Sequence, residues 1–461
     1  MPHEFPLNHL EHFFYWDDHP GFPNSLACRM RCRGKFDRDA ARAAAKLLQE
    51  RHPMIAGQVA CSPRNKCRWV PRDSPPIVEF SRCDDFSVPP VLRPFDLTRE
   101  PGARIVVRET EEDSEIWFMT HHACCDGLGG MQCVGDYLIL CDNLMRERDP
   151  QTGLRKVDTQ GLTNRGRLFR SRWENFKHLV WEPIGLYGLA KFFYHRPVDM
   201  TLASPAKSAE TDEPASPQPS LSEKPKGWIE PHCATLSLDA RETELLVKHA
   251  EKRGVTVNDV LARDLMFALV EWAEDVGIEL SDRRPIRLFV PMNTRGIGDR
   301  RLSACNHVSL VYLDRKPSMI RQRGSLVGSI SFEMKAIQNW KLSSTFRGVL
   351  RLLQHRPGML QGMLSKPYCR ATALFTNLGD FYQRLPLERV EGGVRVGSAA
   401  IERIELLAPV RPKTPLSVSA FRFLDCQQLS LHYDPWQISK AHIDRLSNAL
   451  RASLQKTLAA Q

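Results

Sequence analysis

The sequence predicts an α/β protein built in two halves. The chain has 461 residues, more than one ordinary core holds. Strand-like and helix-like patterns alternate on both sides of its middle. Between them, residues 201–227 (TLASPAKSAETDEPASPQPSLSEKPKG) are dominated by Pro, Ser, Ala and charge. That composition suits a linker or an exposed crossover. The expected units are an N-terminal lobe over 1–200, a linker over 201–227 and a C-terminal lobe over 228–461.

The elements follow in order. Residues 24–36 read as a strand, with Cys28 and Cys32 as packing residues. Residues 37–53 read as a helix capped by Asp37 and stopped before Pro53. IAGQVA and KCRWVP look like a hairpin. A second hairpin spans ARIVVRETEEDSEIWFMTHH, with its acidic cluster as the turn. The glycines after Asp126 lead into the helix MQCVGDYLILCDNLM. Past the linker, HCATLSLD is a strand. ARETELLVKHAEKRG is a helix with Gly254 past its end, and TVNDVLARDLMFALVEWAEDVG is a helix capped at Thr256 or Asn258. PIRLFVPMNTR, NHVSLVYLDR, ATALFTNLG and LSLHYDP are strands, and SKAHIDRLSNALRASLQKTL is a closing amphipathic helix. Residues 167–196 carry many aromatic and basic side chains. They read either as two amphipathic helices broken at Pro183 and covering the sheet, or as an interfacial pair making peripheral contact with a membrane or lipid.

Bulk properties narrow the function. No apolar run approaches the ~18 residues of a membrane span, and the start lacks the layout of a secretory signal. A cytoplasmic protein is expected. The 13 cysteines contain no CxxC pair, so reduced thiols are expected rather than a disulfide framework. A net charge of +10 favours acidic partners. No helix-turn-helix, zinc-finger or RNA-binding signature is present, which argues against nucleic acid.

IWFMTHHACCDGLGG (116–130) carries the chemistry. IWFMT reads as a buried strand ending at His121 and His122. Strand neighbours point to opposite faces, so one histidine can face a cleft while the other packs behind. A neutral imidazole suits removal of a proton from a weak nucleophile. Asp126 could orient a ring or pair with a distant arginine. Gly127, Gly129 and Gly130 permit a tight turn, and their N–H groups could face an oxyanion. Ordinary strand-end histidines and a plain Asp-Gly turn are the alternatives. HHACC is a poor metal site, because four ligands within five consecutive residues cannot easily wrap one tetrahedral ion. No metal is expected.

HHACCDG matches HHxxxDG and resembles the signature of the condensation-domain superfamily. That superfamily includes chloramphenicol acetyltransferases, wax ester synthase/diacylglycerol acyltransferases and polyketide-associated acyltransferases. Five further stretches resemble its motifs in order: ERHPMI (50–55), FDLTREPGARIVV (95–107), GVTVNDVLARDL (254–265), PMNTRG (291–296) and FTNLGDF (375–381). The plant-type DFGWG motif is absent, and Thr376 stands where the family has serine.

The resemblance implies two chloramphenicol acetyltransferase-like α/β sandwich lobes in a V, with the active-site tunnel between them. It implies a stand-alone acyltransferase moving an acyl group from acyl-CoA or an acyl carrier protein to an alcohol or amine. No bound cofactor is implied, and the two-lobe members are usually monomers. His122 would be the general base and His121 structural. Asp126 would pair with Arg295 and shape the loop that Gly127 keeps open. Asn377 and Gly379 would line the tunnel. The alternative is a non-catalytic condensation-like module binding a carrier protein or a lipid.

Overall fold

A computed structural model of the chain describes residues 4–460, except 20, 63–65, 73, 170, 202–229, 357, 367 and 382–384. The stretch expected to be a linker lies, apart from Thr201, outside the described residues.

The first half supplies β1 (Phe5–Pro6), α1 (His9–Trp16), β2 (Ser25–Arg33), α2 (Arg38–Arg51), β3 (Gln58–Cys61), β4 (Cys67–Val70), β5 (Ile77–Arg82), β6 (Ala103–Glu109), β7 (Ser114–His121), α3 (Gly127–Met145) and α4 (Arg172–Tyr194). The second half supplies β8 (His232–Leu238), α5 (Ala240–Lys252), α6 (Val257–Asp275), β9 (Ile286–Asn293), β10 (Val308–Arg315), α7 (Pro317–Arg321), α8 (Arg323–Asn339), α9 (Ser343–Gln354) and α10 (Met359–Leu364). It continues with β11 (Ala373–Asp380), β12 (Arg389–Val390), β13 (Gly393–Val396), β14 (Ala399–Leu407), β15 (Leu416–Phe423), β16 (Cys426–Tyr433) and α11 (Lys440–Ala459).

Local chemistry sets the helix starts. Asp37 accepts from the Ala40 N–H at the head of α2. Thr256, not Asn258, caps α6 in a reciprocal box with Asp259, which satisfies two orphan donors at once. Ser439 caps α11.

Two large mixed sheets organise the molecule. The first has seven strands in the order β12-β13-β14-β2-β7-β6-β5, and the second has six in the order β10-β9-β11-β15-β16-β8. Each packs on its own apolar core. Trp117, Ile116 and Tyr137 sit in the first, and Leu288, Phe375 and Trp272 in the second.

The sheets cut the chain differently from its linear halves. Strand β14 leaves the C-terminal half and pairs antiparallel with β2, from Leu407↔Ala27 to Ala400↔Arg33. Conversely, α4 lies over the second sheet, where Phe192 stacks on Phe289 at 5.8 Å. Residues 389–407 therefore join the first lobe and 172–200 pack on the second.

Two local expectations are corrected. Helix α4 runs through Pro183 unbroken. The carbonyl deprived of its partner belongs to Leu179, which is 68% exposed, so water can satisfy it. The thiols are not all reduced. Cys61 and Cys67 face each other across β3 and β4 and are joined as a disulfide, while the other eleven are free. No described helix is long and apolar enough to cross a membrane.

Candidate active site

Strand β7 delivers the two histidines to different surroundings. His121, its last residue, is buried. Its Nδ1 accepts from the Ala123 N–H at 3.0 Å, and its Nε2 faces Asp18 at 3.4 Å. His122 turns to the junction between the lobes and lines a cavity of about 110 Å³. That cavity draws residues from β2, β7 and α3 on one side and from β9, β10, β11 and β15 on the other.

The His122 main chain is held from both lobes. Its N–H donates to the Asn24 carbonyl at 2.7 Å. Asn306 donates from its side-chain amide to the carbonyls of His122 at 2.9 Å and Ala123 at 2.8 Å. The ring stacks on Phe14 at 3.7 Å, with an interplanar angle of 14°.

Burial pushes the imidazole down to about 4, so the ring is neutral near pH 7. Its own carbonyl and Asp126 pull the other way but do not restore the ordinary value. Among the described residues Nδ1 is buried without a hydrogen-bond partner, its own carbonyl lying outside hydrogen-bond geometry.

Asp126 makes no hydrogen bond to either histidine ring. It caps α3, accepting from the Gly129 N–H at 2.9 Å. Arg295 grips both carboxylate oxygens, at 2.8 and 2.9 Å. The His307 N–H supplies a fourth bond at 2.8 Å. Burial alone would raise the carboxyl, but Arg295 and these N–H groups outweigh it and hold Asp126 below the ordinary carboxylate range. Arg295 also donates to the Cys305 carbonyl at 2.8 Å.

The glycines divide in their roles. The N–H groups of Gly129 and Gly130 are both taken by Asp126, so they cannot face an oxyanion as the sequence suggested. Gly127 lines the cavity, and a Cβ there would stand 2.9 Å from Leu378 Cδ2. Asn377 lines the cavity as well. Gly379 is not among the cavity residues. It is exposed in a bulge of β11 with φ +73°, and its N–H donates to Asn377 Oδ1 at 3.0 Å.

The ERHPMI stretch is also tied to the site. His52 contacts Asp136 through Nε2 at 3.0 Å and accepts from the Ala304 N–H at 3.1 Å. Arg51 grips the same Asp136 oxygen at 2.8 and 2.9 Å. The helix pair α2 and α3 is thereby tied to the 303–306 loop that carries Asn306. Cys124 and Cys125 are fully buried packing residues.

Sequence reading missed Phe14, Asn24, Asn306 and Ser419, and noted Thr376 only as a departure from the motif. Thr376 and Ser419 are register partners on β11 and β15, and both line the cavity. The four missed residues are each brought in from a distant element, so no local pattern marks them.

No protein-family model and no curated relative matches the chain. Solved structures do. The trichothecene 15-O-acetyltransferase of Fusarium sporotrichioides superposes with a TM-score of 0.65 at 14% identity, over 98% of this chain and 95% of that one. The first condensation domain of the CDA synthetase gives 0.62 at 11% identity, over 99% and 97%. The starter condensation domain of rhizomide synthetase, a mutant solved with C8-CoA and Leu-SNAC, gives 0.59 at 12%, over 99% and 94%. The chain thus has the fold of the condensation-domain and chloramphenicol acetyltransferase-like acyltransferases, in its two-lobe form. Condensation domains and an acetyltransferase are among its neighbours along nearly its whole length.

Proposed function

We propose that the protein transfers an acyl group from a thioester donor to an alcohol or amine, with His122 as general base. The observation that carries this reading is a neutral imidazole in the wall of an apolar cavity between two lobes. With a proton on Nδ1 beside its own carbonyl, the lone pair lies on Nε2. Nε2 takes the proton of the acceptor O–H or N–H as the heteroatom attacks the thioester carbonyl carbon. The carbonyl π electrons move to oxygen. When the intermediate collapses, the C–S bond breaks and the proton on Nε2 passes to the departing thiolate.

The oxyanion needs donors. Gly129 and Gly130 are committed elsewhere, and the candidates along the cavity are the Gly127 N–H, the hydroxyls of Thr376 and Ser419 and the Asn377 amide. Asp126 and Arg295 hold the loop and do not touch the reacting atoms. The donor is read as acyl-CoA or an acylated carrier protein, both acidic and suited to a chain of net charge +10. Of the neighbours, the starter condensation domain is in complex with C8-CoA.

The test follows free thiol release with acyl-CoAs of graded length and a panel of alcohols and amines. Acceptor-dependent release that disappears in His122→Ala, with the fold intact by circular dichroism, supports the reading. Equal release by wild type and variant sinks it.

A further inference from the structure

A second cavity, of about 620 Å³, lies between α4, α8 and α9 and the strands β9 and β10, of which β10 is the sheet's edge. That volume is within the range of small-molecule sites, about 300–1,000 Å³. Protein interiors rarely leave such space unfilled. Its lining is aromatic and aliphatic, with Phe192, Tyr312, Trp340 and Phe346 prominent. Four charged residues line it, Lys191, Arg315, Glu333 and Arg370, and the last three are already engaged. Arg315 pairs with Glu333 at 2.7 Å, and Arg370 donates to the Met363 carbonyl at 2.6 Å. What it offers an occupant is therefore chiefly apolar surface.

The large cavity and the His122 cavity meet on one sheet face. Pro291 lines the small one, and its register partner on β10, Leu310, lines the large one. Leu374 lines the small one, and its partner on β9, Phe289, lines the large one. Side chains paired this way lie about 4.5–5.5 Å apart at Cβ, so roughly one side chain separates the two spaces. Leu310, Phe289 and Leu374 are only half-buried, although they sit between packed elements.

We propose that this sheet face binds an unbranched aliphatic chain, running from the His122 cavity past Leu310 into the space beneath α4. The inner cavity, at about 110 Å³, is the narrow end. A flexible chain threads such a passage, whereas a fused ring system does not. Burial of successive methylenes strengthens binding by about fourfold each until the space is filled. Only the reactive group placed at the inner end rests on the acyl-transfer reading. The chain itself belongs either to the acyl group of the donor or to the body of the acceptor.

The experiment titrates cis-parinaric acid, a fluorescent long-chain fatty acid, into the full chain and into His122→Ala. The expected result is saturable binding to both. Leu310→Trp fills the passage and Val349→Trp fills the outer cavity from α9. Each should weaken binding at least tenfold with an unchanged circular dichroism spectrum. Where one of them fails to fold, the other decides.

Absence of saturable binding, or wild-type binding by the folded filled variants, overturns the proposal. Displacement by palmitoyl-CoA assigns the chain to the donor, and displacement by 1-hexadecanol assigns it to the acceptor. Displacement by neither overturns the proposal. Parinarate binding without thiol release from any donor keeps the chain site and removes the acyl-transfer reading instead.

Discussion

Arg295 and Asp126 meet fork to fork across the junction of the lobes, Nη1 at 2.8 Å from Oδ2 and Nη2 at 2.9 Å from Oδ1. The pair fastens the turn after His122 to the segment after β9. Both side chains are largely buried, at 16% and 4% exposure. Removing one partner strands the other charge, which costs about 3–5 kcal/mol in buried pairs. Arg295→Ala and Asp126→Ala should each lose stability on that scale in urea unfolding, and activity with it. The double variant should lose less than the sum of the two, because the stranded charge is gone. Additive losses would mean that the pair is not coupled.

The pH profile reports on His122. Its folded value is depressed to about 4, so the base form is full at neutral pH and is lost as pH falls through about 4. The rate with a nontitrating alcohol should hold from pH 7 down to about 5 and then fall. A fall centred near the ordinary histidine value of about 6.5 would contradict the burial described.

Phe14 covers one face of the imidazole. Phe14→Ala should let water reach the ring and raise its pKa towards the ordinary histidine value. The acid limb of the rate profile should then shift upward, while loss of packing alone would lower the rate equally at every pH.

Gly127→Ala separates fold from function. The Cβ would stand 2.9 Å from the tip of Leu378, a flexible side chain that also lines the cavity. Alanine favours the first helical turn, so thermal stability should hold within about 1 kcal/mol. With Leu378 displaced into the cavity, kcat/KM should fall about tenfold. Adding Leu378→Ala should restore it, and failure to do so would place the effect elsewhere.

Asn306→Leu tests the clamp from the second lobe. It frees the carbonyls of His122 and Ala123, at a cost of about 1–3 kcal/mol for each buried group left unpaired. Activity should fall further than the folded fraction does, because the histidine backbone loses its support. A proportional fall would make Asn306 a stability residue alone.

Much of the fold could be read from the sequence wherever the signal was local. The caps at Asp37 and Thr256 and the hairpin β6–β7 are settled by residues close in the chain. The position of His122 at a strand end was equally legible. The pairing of Asp126 with Arg295 came from the motif's resemblance, since nothing near either residue names the other. Phe14, Asn24 and Asn306 reach the histidine from separate elements and carry no pattern. Strand β14 was unread because its partner, β2, lies near the other end of the chain. Pro183 misled because its exposed position tolerates the lost hydrogen bond, and the bond between Cys61 and Cys67 depends on hairpin register that composition does not reveal.

The seam between β2 and β14 also bears on how the molecule is made. The register joins Arg33 to Ala400. At roughly 5–20 residues per second, the ribosome delivers the second some 20–70 s after the first. Through that interval β2 has an open edge with nothing of its own to pair with, a template for any passing strand. A gene split at the linker would make the condition permanent, since the N-terminal fragment would lack the strand that closes its sheet. The N-terminal fragment would have to meet the C-terminal one and take up its strand β14 before its sheet was whole.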